Sequence, residues 1–165
     1  MDQKPLLTIA IPTYNGGKTI CNMLNLLLPQ CDNNQVEILI SDNCSTDNTE
    51  AIIRTYKEKW KNIDYHRNKE NIGPDANFLQ CMKMANGIFT WLVSDDDVVM
   101  EGAVVQILHF LKEHQNVGFV YLTTRDFRGK YVNFEQCTVH KPEVECDLYT
   151  QNKTEFMLYA GSYWG

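Results

Sequence analysis

The sequence predicts an α/β fold built on a mostly parallel sheet flanked by helices. Three observations carry this expectation. Short β-branched and aromatic runs alternate with amphipathic stretches of helical period, at the spacing of βαβ units. The 165 residues suffice for one domain with a sizeable core. Apolar residues at 44% and charged residues at 22% are ordinary for a soluble globular chain.

Residues 6–11 read as the first strand, with Pro12 as its stop. A helix is predicted over 18–28, with Ile20, Leu24, Leu27 and Leu28 on one face and an end near Pro29. Residues 36–41 form a second strand. Asp47 with Glu50 three residues on has the form of a capping box, opening a helix striped by Ile52, Ile53, Tyr56 and Trp60. Residues 63–66 make a short strand. A helix over 74–85 is expected to bury Phe78, Leu79, Met82 and Ala85. The apolar run 88–93, bounded by Asn86 and Gly87, is a buried strand. A helix over 102–113 carries Val104, Ile107, Leu108 and Leu111, and 117–122 is a fifth strand. Beyond Thr123 the alternation fails. Residues 125–150 read as a loop with a hairpin or edge strand, and 153–160 as a last helix.

Composition excludes several classes. A net charge of -6 argues against non-specific binding to nucleic acid, so no nucleic-acid partner is expected, although charge alone leaves room for a local basic groove. No run is long and apolar enough to span a membrane, and the first five residues lack a signal peptide's apolar segment. The six cysteines, at 21, 31, 44, 81, 137 and 146, form no Cys-x-x-Cys pair. They read as reduced thiols of a cytoplasmic protein. The four histidines show no ligand spacing.

Chemistry is expected where strands end, because open α/β sheets bind ligands outside their carboxyl ends. Ser94-Asp95-Asp96-Asp97 directly follows the strand 88–93. Adjacent like charges favour a hard divalent cation, Mg²⁺ or Mn²⁺, held together with substrate phosphates. The competing reading is a solvated acidic turn. Pro12-Thr13-Tyr14-Asn15-Gly16-Gly17 follows the first strand and offers an aromatic ring, free to stack on a base or sugar, and two glycines. It carries neither a G-x-G-x-x-G nor a Walker lysine motif. Asp42, after the second strand, could accept a ring N–H of a base, or simply form an Asx-turn. Arg67 and Lys69 are candidate diphosphate partners, and Gly73-Pro74 opens a helix. An aromatic, an acid, glycines, cations and an acidic triplet together suit a nucleoside diphosphate compound.

Ile11-Pro12-Thr13-Tyr14-Asn15, Ser41-Asp42-Asn43-Cys44-Ser45-Thr46-Asp47 and Leu92-Val93-Ser94-Asp95-Asp96-Asp97 resemble, in this order, family 2 glycosyltransferases with the Rossmann-like GT-A fold. Asn71-Ile72-Gly73-Pro74-Asp75-Ala76-Asn77 is most similar to bacterial O-antigen sugar transferases of the abequosyltransferase type. The resemblance covers about residues 6 to 122. It implies a nucleotide-diphosphate sugar donor, inversion at the anomeric carbon, and a glycan or lipid-linked acceptor in surface polysaccharide synthesis. Any peripheral contact with the inner face of the membrane is expected to run through that acceptor.

Residues 1–122 are then the donor-binding domain, and 123–165 the start of an acceptor side expected to be incomplete. The resemblance implies nucleotide contacts from Pro12, Thr13, Tyr14, Asn15, Asp42, Asn43, Arg67, Asn71, Gly73, Asn77, Asp95 and Asp96. It places the metal at the triplet Asp95, Asp96 and Asp97, leaving open which two of the three serve it because Ser94 stands where the motif's first acid is expected, and it gives Asp42 the bond to the base. Asn43 departs from a second aspartate common in the family, and Cys44 from a common glycine. The general base is expected beyond Gly165, with Asp126, Glu135, Glu143 and Glu145 as substitutes. The alternative is a non-catalytic nucleotide-sugar-binding module.

Overall fold

The structure is a computed structural model that describes residues 4–31, 34–118, 120 and 122. Those up to Gln115 belong to one compact unit. Its elements are β1 (Leu7–Thr13), α1 (Ile20–Leu27), β2 (Val36–Asp42), α2 (Thr49–Lys59), β3 (Ile63–Arg67), α3 (Pro74–Met84), β4 (Phe89–Leu92) and α4 (Ala103–Glu113). A single 3₁₀ turn, Leu28–Gln30, carries Pro29 past the end of α1. The four strands are parallel, in the order β3-β2-β1-β4. The chain thus lays β2 and β3 to one side of β1, then crosses to place β4 on the other. That reversal creates a switch point between β1 and β4, where such sheets bind ligands.

β1 is buried along its whole length. Ile9, Ile11, Ile38 and Ile40 alternate along β1 and β2 and are fully buried on one face. Burying each such side chain is worth about 1.5–3 kcal/mol. On the opposite face, Ala10 and Leu39 pack against Cys81 of α3, joined by Met84, Ala85 and Leu92.

Four expectations are corrected. The strand expected to be buried over 88–93 is Phe89–Leu92, with Ile88 and Thr90 exposed and its other residues half-buried, because it pairs with β1 alone among the described strands. Pro12 does not stop β1, which runs on to Thr13 with Pro12 opposite Ser41. The reason is directional. Ala10 O accepts Val93 N–H on the β4 side, while Thr13 O accepts Asn43 N–H on the β2 side. Pro12 shares the side of Ala10, and pairing with β4 ends at Ala10–Leu92, so its missing N–H costs no ladder bond.

The apolar stripe of α3 is not the buried face. Asn77 and Cys81 are buried, whereas Phe78, Leu79 and Met82 are exposed. A hydrogen-bonded asparagine on the sheet-facing side turns these apolar neighbours outward. The capping box also fails to close. Asp47 accepts the N–H of Thr49, two residues on, and Glu50 instead pairs with Arg54 and Arg67.

The fifth strand expected over 117–122 falls partly outside the described residues; those described there, 117, 118, 120 and 122, are not in a strand. The elements expected over 125–160 lie outside the described residues. Among the described residues, no helix is long and apolar enough to cross a membrane.

Candidate functional site

The parallel register brings Thr13, Asp42 and Arg67 into line across the carboxyl ends of β1, β2 and β3. On the other side of β1, the chain leaves β4 through Val93 into Ser94 and Asp95. Thr13 Oγ1 donates a short hydrogen bond to Asp95 Oδ2, tying β1 to the segment after β4 across the switch point. A Cβ on Gly16 would overlap both of these side chains, so only glycine fits there. Burial pushes the Asp95 carboxyl above its ordinary value; the Thr13 bond opposes this and the charge of Asp96 adds to it.

The other two acids of the triplet are exposed. Asp96 Oδ1 accepts Ser94 Oγ at 2.5 Å. Asp97 Oδ2 accepts the Ser94 N–H at 2.9 Å, and its own N–H returns to Ser94 O, so Asp97 closes a tight turn. No three His, Cys, Asp or Glu side chains converge on a ready metal cage among the described residues. The donor set still fits a hard cation. Mg²⁺ is commonly held by one or two carboxylates plus substrate phosphates, and Asp95 and Asp96 can supply those carboxylates. The strained ionisation of Asp95 beside Asp96 is what a cation would relieve.

Tyr14 projects from the end of β1 with 49% of its surface exposed. The loop behind it is held on the β2 side as well. Asn15 adopts φ 53°, donates its N–H to Ser45 Oγ, and accepts Thr46 N–H on its side chain. Gly17 donates its N–H to Asp47 at 3.0 Å. Burial works to raise the Asp47 carboxyl, but hydrogen bonds from Thr49 and Gly17 outweigh it and hold it below its ordinary value.

Asp42 is fully buried. Its Oδ1 accepts Ser45 N–H and its Oδ2 accepts Tyr65 OH, each at 2.8 Å. The Arg67 Nε lies 3.6 Å from Oδ2 and 3.2 Å from Glu50, and its Nη2 donates to Ser45 O. Both groups are therefore engaged within the protein. Burial, with Asp42 beside it, pushes the Tyr65 hydroxyl well above its ordinary value.

Asparagines dominate the adjoining region. Asn43 Oδ1 accepts Asn68 Nδ2 and Ile72 N–H, and its Nδ2 donates to Asn71 Oδ1 and Gly73 O. Gly73, at φ 85°, occupies a conformation that favours glycine. Cys44, at φ 65°, sits in the left-handed region, which accounts for a glycine being the easier residue there. Asn77 is buried; it accepts Ser41 Oγ and Asn68 Nδ2 and donates to Ser41 O. Its side chain faces the fold, whereas Asn71 is exposed at the edge.

The structure thus gathers Pro12, Thr13, Tyr14, Asn15, Asp95 and Asp96 around the switch point. It places Asp42, Asn43, Arg67 and Asn77 in supporting networks beside it. Sequence reasoning missed Tyr65, Asn68 and Gln80 as partners in those networks. The recurrence of asparagine at 68, 71 and 77 was the available signal. Asp126, Glu135, Glu143 and Glu145 lie outside the described residues.

The profile of the family described as glycosyl transferase family 2 matches residues 8–159. The abequosyltransferase RfbV of Salmonella typhimurium is 35% identical over 126 residues, covering 75% of this chain and 37% of that protein. The crystal structure of Staphylococcus aureus TarS 1–349 in complex with UDP-GlcNAc is similar at a TM-score of 0.60 and 30% identity, over 66% of this chain and 32% of that one. A mannosyltransferase from Pyrobaculum calidifontis, solved with GDP-Man and Mn²⁺, shares the fold at a TM-score of 0.59 and 20% identity, over 66% of this chain and 33% of that one. The chain spans about a third of the length of these proteins.

Proposed function

This chain belongs to glycosyl transferase family 2, and we propose that it binds the nucleotide-diphosphate sugar donor for transfer of the sugar to an acceptor hydroxyl. The observation that carries this reading is the junction at the switch point. There Thr13 ties Asp95 to β1, Asp96 follows it in the chain, and the residue after Thr13 is an exposed aromatic, Tyr14. The relative solved with UDP-GlcNAc supports a nucleotide sugar as donor. A GalNAc(5)-diNAcBac-PP-undecaprenol β-1,3-glucosyltransferase of Campylobacter jejuni, 27% identical over 72% of this chain and 37% of that protein, supports a lipid-linked glycan acceptor, and hence a place in surface polysaccharide synthesis. We place the reaction on the cytoplasmic side, with contact with a membrane coming through the acceptor.

Asp95 and Asp96 would hold Mn²⁺ or Mg²⁺ against the diphosphate, with Asp97 keeping the turn. Bound there, the metal supplies Lewis-acid stabilisation of the departing diphosphate. The protein's own groups do the rest on the donor side. Thr13 orients Asp95, Gly16 leaves room for that pair, and Tyr14 offers a face for stacking. Calorimetry with UDP, GDP, CDP and dTDP, in Mn²⁺ or in EDTA, tests the reading. One nucleotide should bind more tightly with Mn²⁺, and Asp95→Asn with Asp96→Asn should abolish the difference. Equal affinity of the parent chain in Mn²⁺ and EDTA would refute the metal-coupled site.

A further inference from the structure

We infer that the amino ends of the strands carry a second site: a groove that seats the headgroup of an anionic phospholipid and holds the chain on a membrane surface, in addition to the contact made through the acceptor. The groove is independent of the donor site, and the choice of a lipid as its occupant rests on the proposed lipid-linked acceptor. It measures about 1080 Å³, the scale of a ligand site. It lies at the end of the sheet opposite Thr13 and Asp95. Lys4 lines it just before β1, Val36 opens β2, Ile63 opens β3, and Ile88 directly precedes β4.

Charge decides what the groove takes. Lys4, Lys57 and Lys61 line it together with two acids, Glu37 and Asp64. Both acids are engaged. Glu37 accepts Thr8 Oγ1 and both the backbone N–H and the Nδ2 of Asn86. Asp64 faces Lys57 at 3.9 Å, and Lys57 stands in the last turn of α2, where a cation also complements the helix dipole. Lys4 and Lys61 are exposed and have no ion-pair partner among the described residues. In a chain of net charge -6, two uncommitted ammonium groups on one groove make a local site for an anion.

The rest of the lining gives the anion an apolar part. Val36 and Ile63 are buried, whereas Ile88 leaves 60% of its surface exposed. A free phosphate gains nothing from that surface. An anionic lipid does: its phosphate oxygens meet the ammonium groups, its glycerol and first methylenes cover Ile88, and the lysine stems lie along the same apolar surface. The negative charge of the remaining chain is repelled by an anionic surface, which turns the amino ends toward the bilayer. β1 is seven residues long, so the donor site then stands roughly 20 Å off the membrane, and an acceptor that reaches it must carry a glycan of about that length.

Co-sedimentation of the full chain at low salt tests this, with vesicles of phosphatidylglycerol and phosphatidylcholine against vesicles of phosphatidylcholine alone. The parent should bind the first and not the second. Lys4→Ala and Lys61→Ala should each weaken binding about fivefold, the usual effect of one basic residue near an anionic surface. Ile88→Ser should weaken it as well. Lys112→Ala removes the same charge from α4, outside the groove, and should leave binding at the parent level. All four variants should keep the parent's circular dichroism and its nucleotide affinity in Mn²⁺, because none touches the donor site. Equal losses from Lys61→Ala and Lys112→Ala would reduce the effect to overall charge and overturn the groove. A parent that ignores both kinds of vesicle would overturn the lipid, and a rise of its melting temperature in inorganic phosphate would then assign the groove to a small soluble anion instead. A parent that binds the anionic vesicles but no nucleotide would refute the donor site while upholding the groove.

Discussion

Truncating Asp42 to alanine is expected to destabilise the fold before it affects any ligand. Asp42 Oδ1 is the acceptor for the Ser45 N–H, a buried contact of 2.8 Å. Its loss leaves that N–H without an acceptor, at a cost of about 1–3 kcal/mol. Tyr65 OH loses its partner too, but Tyr65 is only half-buried, so water recovers part of that bond. Arg67 is 36% exposed and 3.6 Å away, so its share is screened and adds at most about 1 kcal/mol. The total is about 2–4 kcal/mol, or a fall in Tm of about 10 °C for a unit of this size. Asp42→Asn retains an acceptor for Ser45 and should lose less than half as much. Thermal unfolding followed by circular dichroism at neutral pH reads both. An Asp42→Ala chain that melts within about 2 °C of the parent would show that this carboxylate does not hold the loop after β2.

Asp95 gives a pH dependence. Its carboxyl is raised above the ordinary 3.8 in the folded chain, mainly by burial. The folded state therefore binds that proton more tightly than the unfolded state, and stability falls as pH climbs from 3.8 through the raised value. Asp95→Asn should raise the metal-free Tm at neutral pH, with the gain fading as the pH drops below 3.8; a gain that persists in strong acid would contradict this. Gly16→Ala should separate Thr13 from Asp95 and lower both Tm and metal-coupled nucleotide affinity, whereas unchanged melting and binding would deny the close packing. Cys21, Cys31, Cys44 and Cys81 are free thiols, and burial pushes Cys31 up to about 12 and Cys81 up to about 11. Thiol counting in denaturant without reductant should find six, and in the native chain Cys31 and Cys81 should react last; a count that rises on adding reductant would reveal disulfides.

The strands were legible because their patterns are local. β1, β2 and β4 are apolar runs, and periodicity finds them. What the sequence could not convey is which partner satisfies each polar group. Pro12 looked like a stop because its missing N–H counts only if a neighbour faces it, and strand direction decides that. Phe78, Leu79 and Met82 looked like the inner face of α3 because the moment of a helix follows its apolar residues. Asn77, hydrogen-bonded to Ser41, outweighs them in setting the rotation of the helix. Asp42 reads as a ligand group because a carboxylate at a strand end has that option, and the structure adds that it is bonded within the protein. Its engagement with Ser45 and Tyr65 depends on pairing between β2 and β3, which no motif encodes. Asp95 was the opposite case, since its neighbours in sequence already crowd it with charge.

The β1–α1 turn shows why the site gathers there. β1 is the central hinge of the topology, with β2 on one side and β4 on the other. Its last residue, Thr13, is tied toward the β4 side through Asp95. Two residues on, Asn15 is tied toward the β2 side through Ser45 and Thr46, and Gly17 through Asp47. Tyr14 lies between these restraints, so its backbone is fixed while its ring remains exposed. Ordering a loop on binding consumes part of the interaction energy, and here the fold has done that ordering in advance.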